Sequence, residues 1–498
     1  MKARIVTLLV TSVLLLFSTA FSQSGTLQIA IDQSPVGLDP HVATAFSTFA
    51  VIGQIYDGLV DLDSDLELEP ALAKSWKVSD DGLTYTFTLR KGVTFHNGRT
   101  MTSDDVVYSY DRIMAEETGS PTASRFTQVD SVTAPDAQTV VFKLKGPFAP
   151  FLSNLTNLTV IPKELVEEGN VQQEAIGTGP FMLEEWVPDT YVLLRANPNY
   201  YRKGEPGVEA LKFNIVPEAS TRAAGLRSGD YQFLPDVDPA TAETIRGVPN
   251  VTLLETQDLA YTLMGLNVSQ PPFDDPRVRE AINLAINRDE ITQAVYFGNA
   301  VPGGPLSPAL SDWALSTDEF SCYQSDPEAA RALLADAGQE NLEFEILTFG
   351  TLPVVSDLAQ VLQAQLSQAG ITATINVAEF GTFVQRWQNS DFEAFVSLNG
   401  GSTDPDGYLY RTFYTGGSTN VFEYSDPEVD MLLDEGQTTT DRETRFETYA
   451  QVQRDLACTG PAAHVAYGTL FTALGEGVKG FEQLPTRSLR YLRNVTLP

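Results

Sequence analysis

The chain is poor in cysteine, histidine and positive charge, and each shortage removes a class of function. Of 498 residues only two are cysteine and three histidine. The histidines, His41, His96 and His464, are scattered, so no cluster carries the spacing of a zinc or nickel site, and two thiols are too few to make one alone. No histidine accompanies a G-x-S-x-G elbow, which leaves a Ser-His-Asp triad without its nucleophile signature. There is no glycine-rich loop followed by Lys and Ser or Thr, so that common phosphate cradle is missing, and no cofactor is expected. Lys and Arg number 32 against 65 Asp and Glu, a net charge of -33. That balance argues against nucleic acid or an anionic membrane surface as partner, and it suits solubility at an ionic strength that screens self-repulsion.

What is present begins with a targeting segment. In MKARIVTLLVTSVLLLFSTAFSQS, Lys2 and Arg4 precede the apolar run Ile5 to Phe17, and Ala20-Phe21-Ser22 forms a cleavage site before Gln23. Residues 1–22 therefore read as a secretory signal peptide. The run is shorter than the ~20 apolar residues a spanning helix needs, and no cysteine follows it to carry a lipid. An exported protein meets an oxidising compartment, where Cys322 and Cys458 are expected to be bridged. A chain this long, with 43% hydrophobic residues, is expected to form at least two lobes.

Short strands alternate with helices along the chain, the pattern of an α/β fold. Leu27, Ile29 and Ile31 alternate, as do Tyr85, Phe87 and Leu89, and Leu211, Phe213 and Ile215. Helix starts are legible. Thr102 and Asp105 make a capping box, and Asp275-Pro276, Asp326-Pro327 and Asp426-Pro427 each place a cap before a proline at the first helical position. A longer helix is predicted over 354–368, stopped by Gly370 before an alternating strand over 371–377.

Two acidic stretches invite chemistry. Asp404 and Asp406 could be the carboxylate pair of a glycosidase, but D-P-D-G also reads as a surface turn, with Pro fixing φ and Gly closing it. Asp61, Asp63 and Asp65 mimic the start of a calcium loop. Its sixth position is Leu66 instead of Gly and its twelfth Leu72 instead of Glu, so these acids read as a solvated turn. A secreted two-lobed protein without catalytic machinery has the profile of a transport receptor that closes on a solute by a hinge.

The stretch LEPALAKSWKVSDDGLTYTFTLRKGVTFHNGRTMTSDDVVYSYDRIM, from Leu68 to Met114, closely resembles the signature region of bacterial extracellular solute-binding proteins of family 5, the dipeptide, oligopeptide and nickel receptors of ABC importers. The resemblance continues through GLDPH at Gly37 to His41, IGTGPF at Ile176 to Phe181, NPNYYRKGEPGVEALKF from Asn197, FDDPRVREAINLAINRDEIT from Phe273 and DPEAARALLADAG from Asp326. It implies a periplasmic-binding-protein-like fold of the large class, with two lobes, a hinge and an extra subdomain in lobe I. Lobe I would take 23–262, with the extra subdomain at about 42–178, lobe II 263–476, and 477–498 would return to lobe I. Segments near Tyr261 to Leu266 and Thr472 to Val478 would form the hinge. Trp76, Phe87, Phe95, His96, Gly177 and Gly179 read as architectural.

The resemblance also bears on FVSLNGGSTDPDGYLY, from Phe395 to Tyr410. In peptide-binding members a Trp, and an Asp three residues before the D-P turn, line the cleft, and the Asp pairs with the peptide's α-amino group. Here Leu398 and Gly401 stand at those positions. A buried ammonium without a carboxylate loses several kcal/mol, so another acid would have to substitute. Asn399, Gly400, Gly401 and Ser402 offer a neutral surface of exposed amides instead. The expected cleft residues are these four with Asp404, Tyr408, Trp387, Thr44, Phe46 and Ser47, although Asp404 and Asp406 also serve to hold the turn. The expected protein is a periplasmic, monomeric solute receptor without a lipid anchor, partnered by ABC permease subunits. Peptide is the favoured solute, with an oligosaccharide or opine as the rival and a secreted glycosidase as the remote alternative.

Overall fold

A computed structural model describes residues 25–498; the signal-peptide expectation lies outside the described residues. The chain begins its fold with Thr26–Ile31, whose alternate residues Leu27, Ile29 and Ile31 are buried. This strand pairs in parallel with Ala210–Ile215, which continues antiparallel through Tyr191–Ala196 to Phe181–Val187. A second group runs Thr372–Ala378, Glu343–Phe349 and Ala394–Asn399, all parallel. Two long antiparallel strands, Thr252–Leu266 and Ala462–Leu474, join the groups, giving the largest sheet eleven strands among the described residues.

Buried apolar side chains fall into separate clusters. One gathers Leu27, Ile29, Phe181 and Phe213 with Phe481, Leu492 and Val495 of the C-terminal tail. Another runs from Leu59 to Val160 around a four-stranded sheet, in which Phe87 and Phe142 meet edge-on at 5.5 Å between ring centroids. The largest spans Leu259 to Tyr467. The two crossing strands contribute to more than one cluster: Phe471 and Ala473 pack in one, Leu263 and Val465 in another.

Helix starts follow the sequence cues. The Thr102 capping box opens Ser103–Met114, and Asp275, Asp326 and Asp426 accept from backbone amides at the head of their helices. Asp404-Pro405 is a fourth start of the same kind. The stretch expected to be a surface turn is the head of helix Pro405–Phe413, with Asp404 accepting from the Asp406 amide at 3.0 Å. The expected solvated turn at 61–65 is also corrected in part. Asp63 does hold an exposed turn through the amides of Asp65 and Glu67, but Asp61 is buried and paired with Arg490 and Arg493 of the C-terminal tail.

Cys322 and Cys458 are joined by a disulfide across 136 residues of sequence, beside Phe320, Tyr323 and Ala457. Constraining so long a loop in the unfolded chain contributes about 2–5 kcal/mol. Reduction, or a Cys322→Ala/Cys458→Ala double variant, is expected to lower the thermal midpoint; calorimetry showing the same midpoint in both forms would contradict this.

His41 and His464 are buried and His96 is half-buried, and loss of water is the main cause that holds their imidazoles low, at about 4 for His41, about 4 for His96 and about 3 for His464. The unfolded chain takes up these protons near pH 6.5 and the folded chain only much lower. Each neutral imidazole therefore contributes stability that is complete above pH 6.5 and lost on acidification, at about 1.4 kcal/mol per pH unit down to the folded value. His96 is suited to a test, because its Nε2 donates to the Gly179 carbonyl at 3.0 Å and its Nδ1 accepts from the Gly177 amide at 3.3 Å. Urea titrations at pH 6.5 and 5 should show His96→Gln losing about 2 kcal/mol less than wild type over that interval; equal losses would refute the assignment.

Candidate functional site: the crossing strands and the loops around them

The crossing strands are out of simple register where they pass between clusters. Thr252 to Gln257 pair with Leu474 to Thr469, Tyr261 pairs with Tyr467, and Asp258, Leu259 and Ala260 bulge between. The expected hinge segments, Tyr261 to Leu266 and Thr472 to Val478, do not face each other: Tyr261 lies opposite Tyr467, and Thr472 opposite Leu254. A bulge frees backbone groups from the ladder, and here side chains collect them. The Leu259 carbonyl accepts from the Tyr408 hydroxyl at 2.6 Å, the Asp258 carbonyl from Ser307 at 2.9 Å, and the Asp258 carboxylate takes the Ala260 amide at 3.0 Å together with the Arg487 guanidinium. Tyr261, Tyr408, Tyr467 and His464 surround the bulge on the far side, with centroids 5.3 to 5.9 Å from that of Tyr261.

The Asn399 to Tyr408 segment packs against this bulge. Asn399 ends its strand and reaches the Tyr261 hydroxyl at 3.5 Å. Gly400 is exposed, with nothing within 4 Å of where a Cβ would point. Gly401 is a close-approach glycine, since a Cβ there would sit 2.2 Å from the Leu259 carbonyl oxygen and 2.4 Å from the Tyr408 hydroxyl. Ser402 Oγ accepts from the Asp404 amide at 3.3 Å.

Two expected cleft residues turn out to be structural. Tyr408 is 1% exposed and its hydroxyl is engaged by Leu259. Asp404 holds Arg445 through both carboxylate oxygens, at 2.6 and 2.9 Å, with both side chains largely buried. A carboxylate so committed is free neither for a solute nor for glycoside hydrolysis. Asp406 is half-buried, and loss of water together with the neighbouring Asp404 charge pushes its carboxyl up to about 7.

On the other side of the bulge, Phe46 is 54% exposed at the start of helix Phe46–Ile52, and its ring lies 5.1 Å beneath the Arg487 guanidinium. Thr44 is exposed just ahead of it, and Ser47 donates to the Ser34 carbonyl at 3.3 Å. Phe46 is thus linked through Arg487 to the bulge of the crossing strands, whereas Ser47 is tied to Ser34. Trp387 lies elsewhere, half-buried on helix Phe380–Gln388 against the largest cluster.

Sequence reading missed Asp236. It has a left-handed backbone (φ 48°), lies 3.5 Å from Arg487, and lines a narrow recess with Thr472, Gln483 and Ser488. Its side chain is 44% exposed, yet it sits in a concavity where protein displaces bulk water. Loss of water raises its carboxyl, Asp258 and Asp32 add to this, and Arg487 opposes it. A strained residue after a strand end is a signal only the backbone reveals.

A carboxylate cannot simply be restored at position 401. Gly401→Asp is expected to destabilise the fold by about 1–3 kcal/mol through overpacking against Leu259, and not to improve peptide binding. Denaturant titration alongside calorimetry with dialanine tests this; a fully stable variant with tighter dialanine binding would contradict the packing.

Similarity to known proteins covers nearly the whole chain. Residues 67–420 match the family described as bacterial extracellular solute-binding proteins, family 5 (middle region). The chain is 32% identical over 496 residues to the probable di/tripeptide-binding protein 5 of Pseudomonas aeruginosa, covering 93% of this chain and 94% of that one. Among solved structures, it resembles the oligopeptide-binding protein AppA of Bacillus subtilis in complex with a nonapeptide (TM-score 0.83, 26% identity, 96% and 99% covered). It likewise resembles AgaA of A. tumefaciens R10 in complex with agropinic acid (TM-score 0.81, 26% identity, 95% and 99% covered). Two lobes, strands that cross between them and a match running through most of its length make this chain a member of the family 5 bacterial extracellular solute-binding proteins.

Proposed function

We propose that the chain is the solute-binding component of an ABC importer, exported to the periplasm, which closes two lobes on a short peptide or peptide-like solute and presents it to a membrane permease. Members of the family are substrate-binding transport proteins, not enzymes. The observation that carries the reading is the pair of crossing strands, which join separately packed cores and whose ladder is broken by the bulge at Asp258 to Ala260; a chain built this way can open and close about that bulge with both cores intact. We take lobe I as 23–262 with the extra subdomain at about 42–178, lobe II as 263–476, and 477–498 as the return to lobe I. The distribution of the buried clusters supports this division in outline, with Phe471, Ala473 and Leu474 at the end of the second crossing strand packing on lobe I. The working unit is a monomer.

Peptide is favoured by the relatives' ligands, the di/tripeptide of the P. aeruginosa protein and the nonapeptide of AppA. A second reading, an opine-type solute, draws on two observations: Gly401 leaves no room for an acid that would hold an α-amino group, and AgaA is seen with agropinic acid. Asp236 keeps the peptide reading open by offering a different carboxylate beside the crossing strands. Native mass spectrometry of the mature protein purified gently from periplasm, followed by denaturation, should release short peptides. An opine would transfer the assignment to the second reading, and a neutral sugar would overturn both.

A further inference from the structure

Beyond the bulge at Asp258 to Ala260, the ladder of the crossing strands slips a second time. Thr262 lies opposite Ala466 and Leu263 opposite His464, so Val465 is passed over. On one side of the slip Thr262 Oγ1 donates to the Ala466 carbonyl at 3.3 Å. On the other, the His464 carbonyl is taken by Arg288, whose Nε donates to it at 2.8 Å. The His464 imidazole faces Tyr261 of the candidate site, with centroids 5.3 Å apart, so the group that holds His464 also sets the surroundings of that tyrosine.

Arg288 opens helix Arg288–Tyr296, is 3% exposed, and has no acidic partner among the described residues. A guanidinium withdrawn from water costs several kcal/mol unless its surroundings replace the lost hydration. Two further contacts do so: Nη2 donates to Asn283 Oδ1 at 2.7 Å, and the guanidinium carbon lies 3.5 Å from the centroid of the Tyr323 ring, within cation–π range. Both contacts lead to the disulfide. Tyr323 follows Cys322 in the turn Ser321–Tyr323, and Asn283 Nδ2 donates to the Cys458 carbonyl at 3.1 Å. The Cys322–Cys458 bond thus closes a loop of contacts that runs from Tyr323 through Arg288 and Asn283 to Cys458, and Arg288 carries that loop to the crossing strand.

We propose that the Cys322–Cys458 disulfide is a redox-sensitive brace for the crossing strand, and that its reduction by a dithiol weakens solute binding. The inference rests on the reading of the chain as a solute receptor and adds a means of regulating its site. A reductant thiolate would attack the sulfur of Cys458, which is half-buried, in preference to that of Cys322, which is 1% exposed. The S–S bond breaks, Cys322 leaves as a thiolate and takes a proton, and a mixed disulfide joins Cys458 to the reductant. The reductant's second thiolate then displaces Cys458, which takes the second proton; the reductant ends as a disulfide and the cysteines hold the two electrons. The turn carrying Tyr323 loses its covalent tie to helix Arg442–Thr459, the ring can leave the guanidinium, and Arg288 loses a contact that offsets its burial. The hold on the His464 carbonyl, and with it the setting of Tyr261, loosens in turn.

The test uses mature protein freed of solute in denaturant and refolded with its disulfide intact, as wild type, Tyr323→Phe and Tyr323→Leu. Each is measured with and without excess dithiothreitol, at a temperature where circular dichroism shows every form folded; there, a disulfide that only stabilises the fold leaves binding unchanged. Calorimetry with dialanine should show reduction weakening binding by about tenfold in wild type and in Tyr323→Phe, which keeps the aromatic face. Tyr323→Leu keeps the disulfide and loses that face, so it should bind weakly already and lose about twofold or less on reduction. Hydrogen exchange, which needs no solute, should quicken across 462–466 when wild type is reduced. Equal dialanine affinity of oxidised and reduced wild type overturns the brace, as does a loss on reduction in Tyr323→Leu as large as in wild type. If Tyr323→Leu does not fold, oxidised against reduced wild type still decides. Absence of dialanine binding in every form overturns the peptide reading instead, and exchange then judges the brace: faster exchange on reduction sustains it and unchanged exchange overturns it.

Discussion

Everything in the candidate site hangs on the bulge at Asp258 to Ala260. A strand that ran straight through both lobes would lock them, and one that simply ended would leave them unconnected. The bulge interrupts the ladder between Gln257 and Tyr261 and hands its carbonyls to residues from both sides: Tyr408 and Ser307 from the larger cluster, with Arg487 from the C-terminal tail meeting the Asp258 carboxylate. The closest packing of the site follows from this. Gly401 is glycine because the Leu259 carbonyl occupies the space a side chain would need, and Tyr408 is buried because its hydroxyl serves that same carbonyl.

The charge pattern has a comparable logic. Although the surface is strongly acidic, several arginines are withdrawn from it and paired in places where separate parts of the chain must meet: Arg112 with Asp39, Arg445 with Asp404, Arg493 with Asp61 and Glu69, Arg487 with Asp258. Removing one partner of such a buried pair leaves an uncompensated charge and costs about 3–5 kcal/mol. These pairs act as fasteners: the C-terminal tail is held to the subdomain by Asp61, and helix Arg442–Thr459 to the head of helix Pro405–Phe413 by Asp404.

Local rules made much of the fold legible in the sequence. The strands with period-two burial and the helices opened by Thr102, Asp275, Asp326 and Asp426 form where their residues say they should, because caps and alternation act over a few residues. The same rule was available at Asp404-Pro405 and was set aside there because glycine and a second aspartate imitate a turn. The functional readings of Asp404 and Tyr408 failed for a different reason. Whether a carboxylate or a phenol faces a cleft or a core depends on partners such as Arg445 and Leu259, 41 and 149 residues away, which no local pattern announces. Phe46 came next to the crossing strands, but Asp236 owes its interest to the company that folding assembles around it.

The central claim is that the bulge is a hinge on which the lobes close over a solute. Small-angle X-ray scattering of the mature protein, with its own solute removed and then restored, measures this directly. A radius of gyration that falls when solute is returned, and falls less when Asp258→Asn weakens the hold of Arg487 on the bulge, is the result expected. An identical radius with and without bound solute would show that the two lobes form one rigid body and that the bulge is not a hinge.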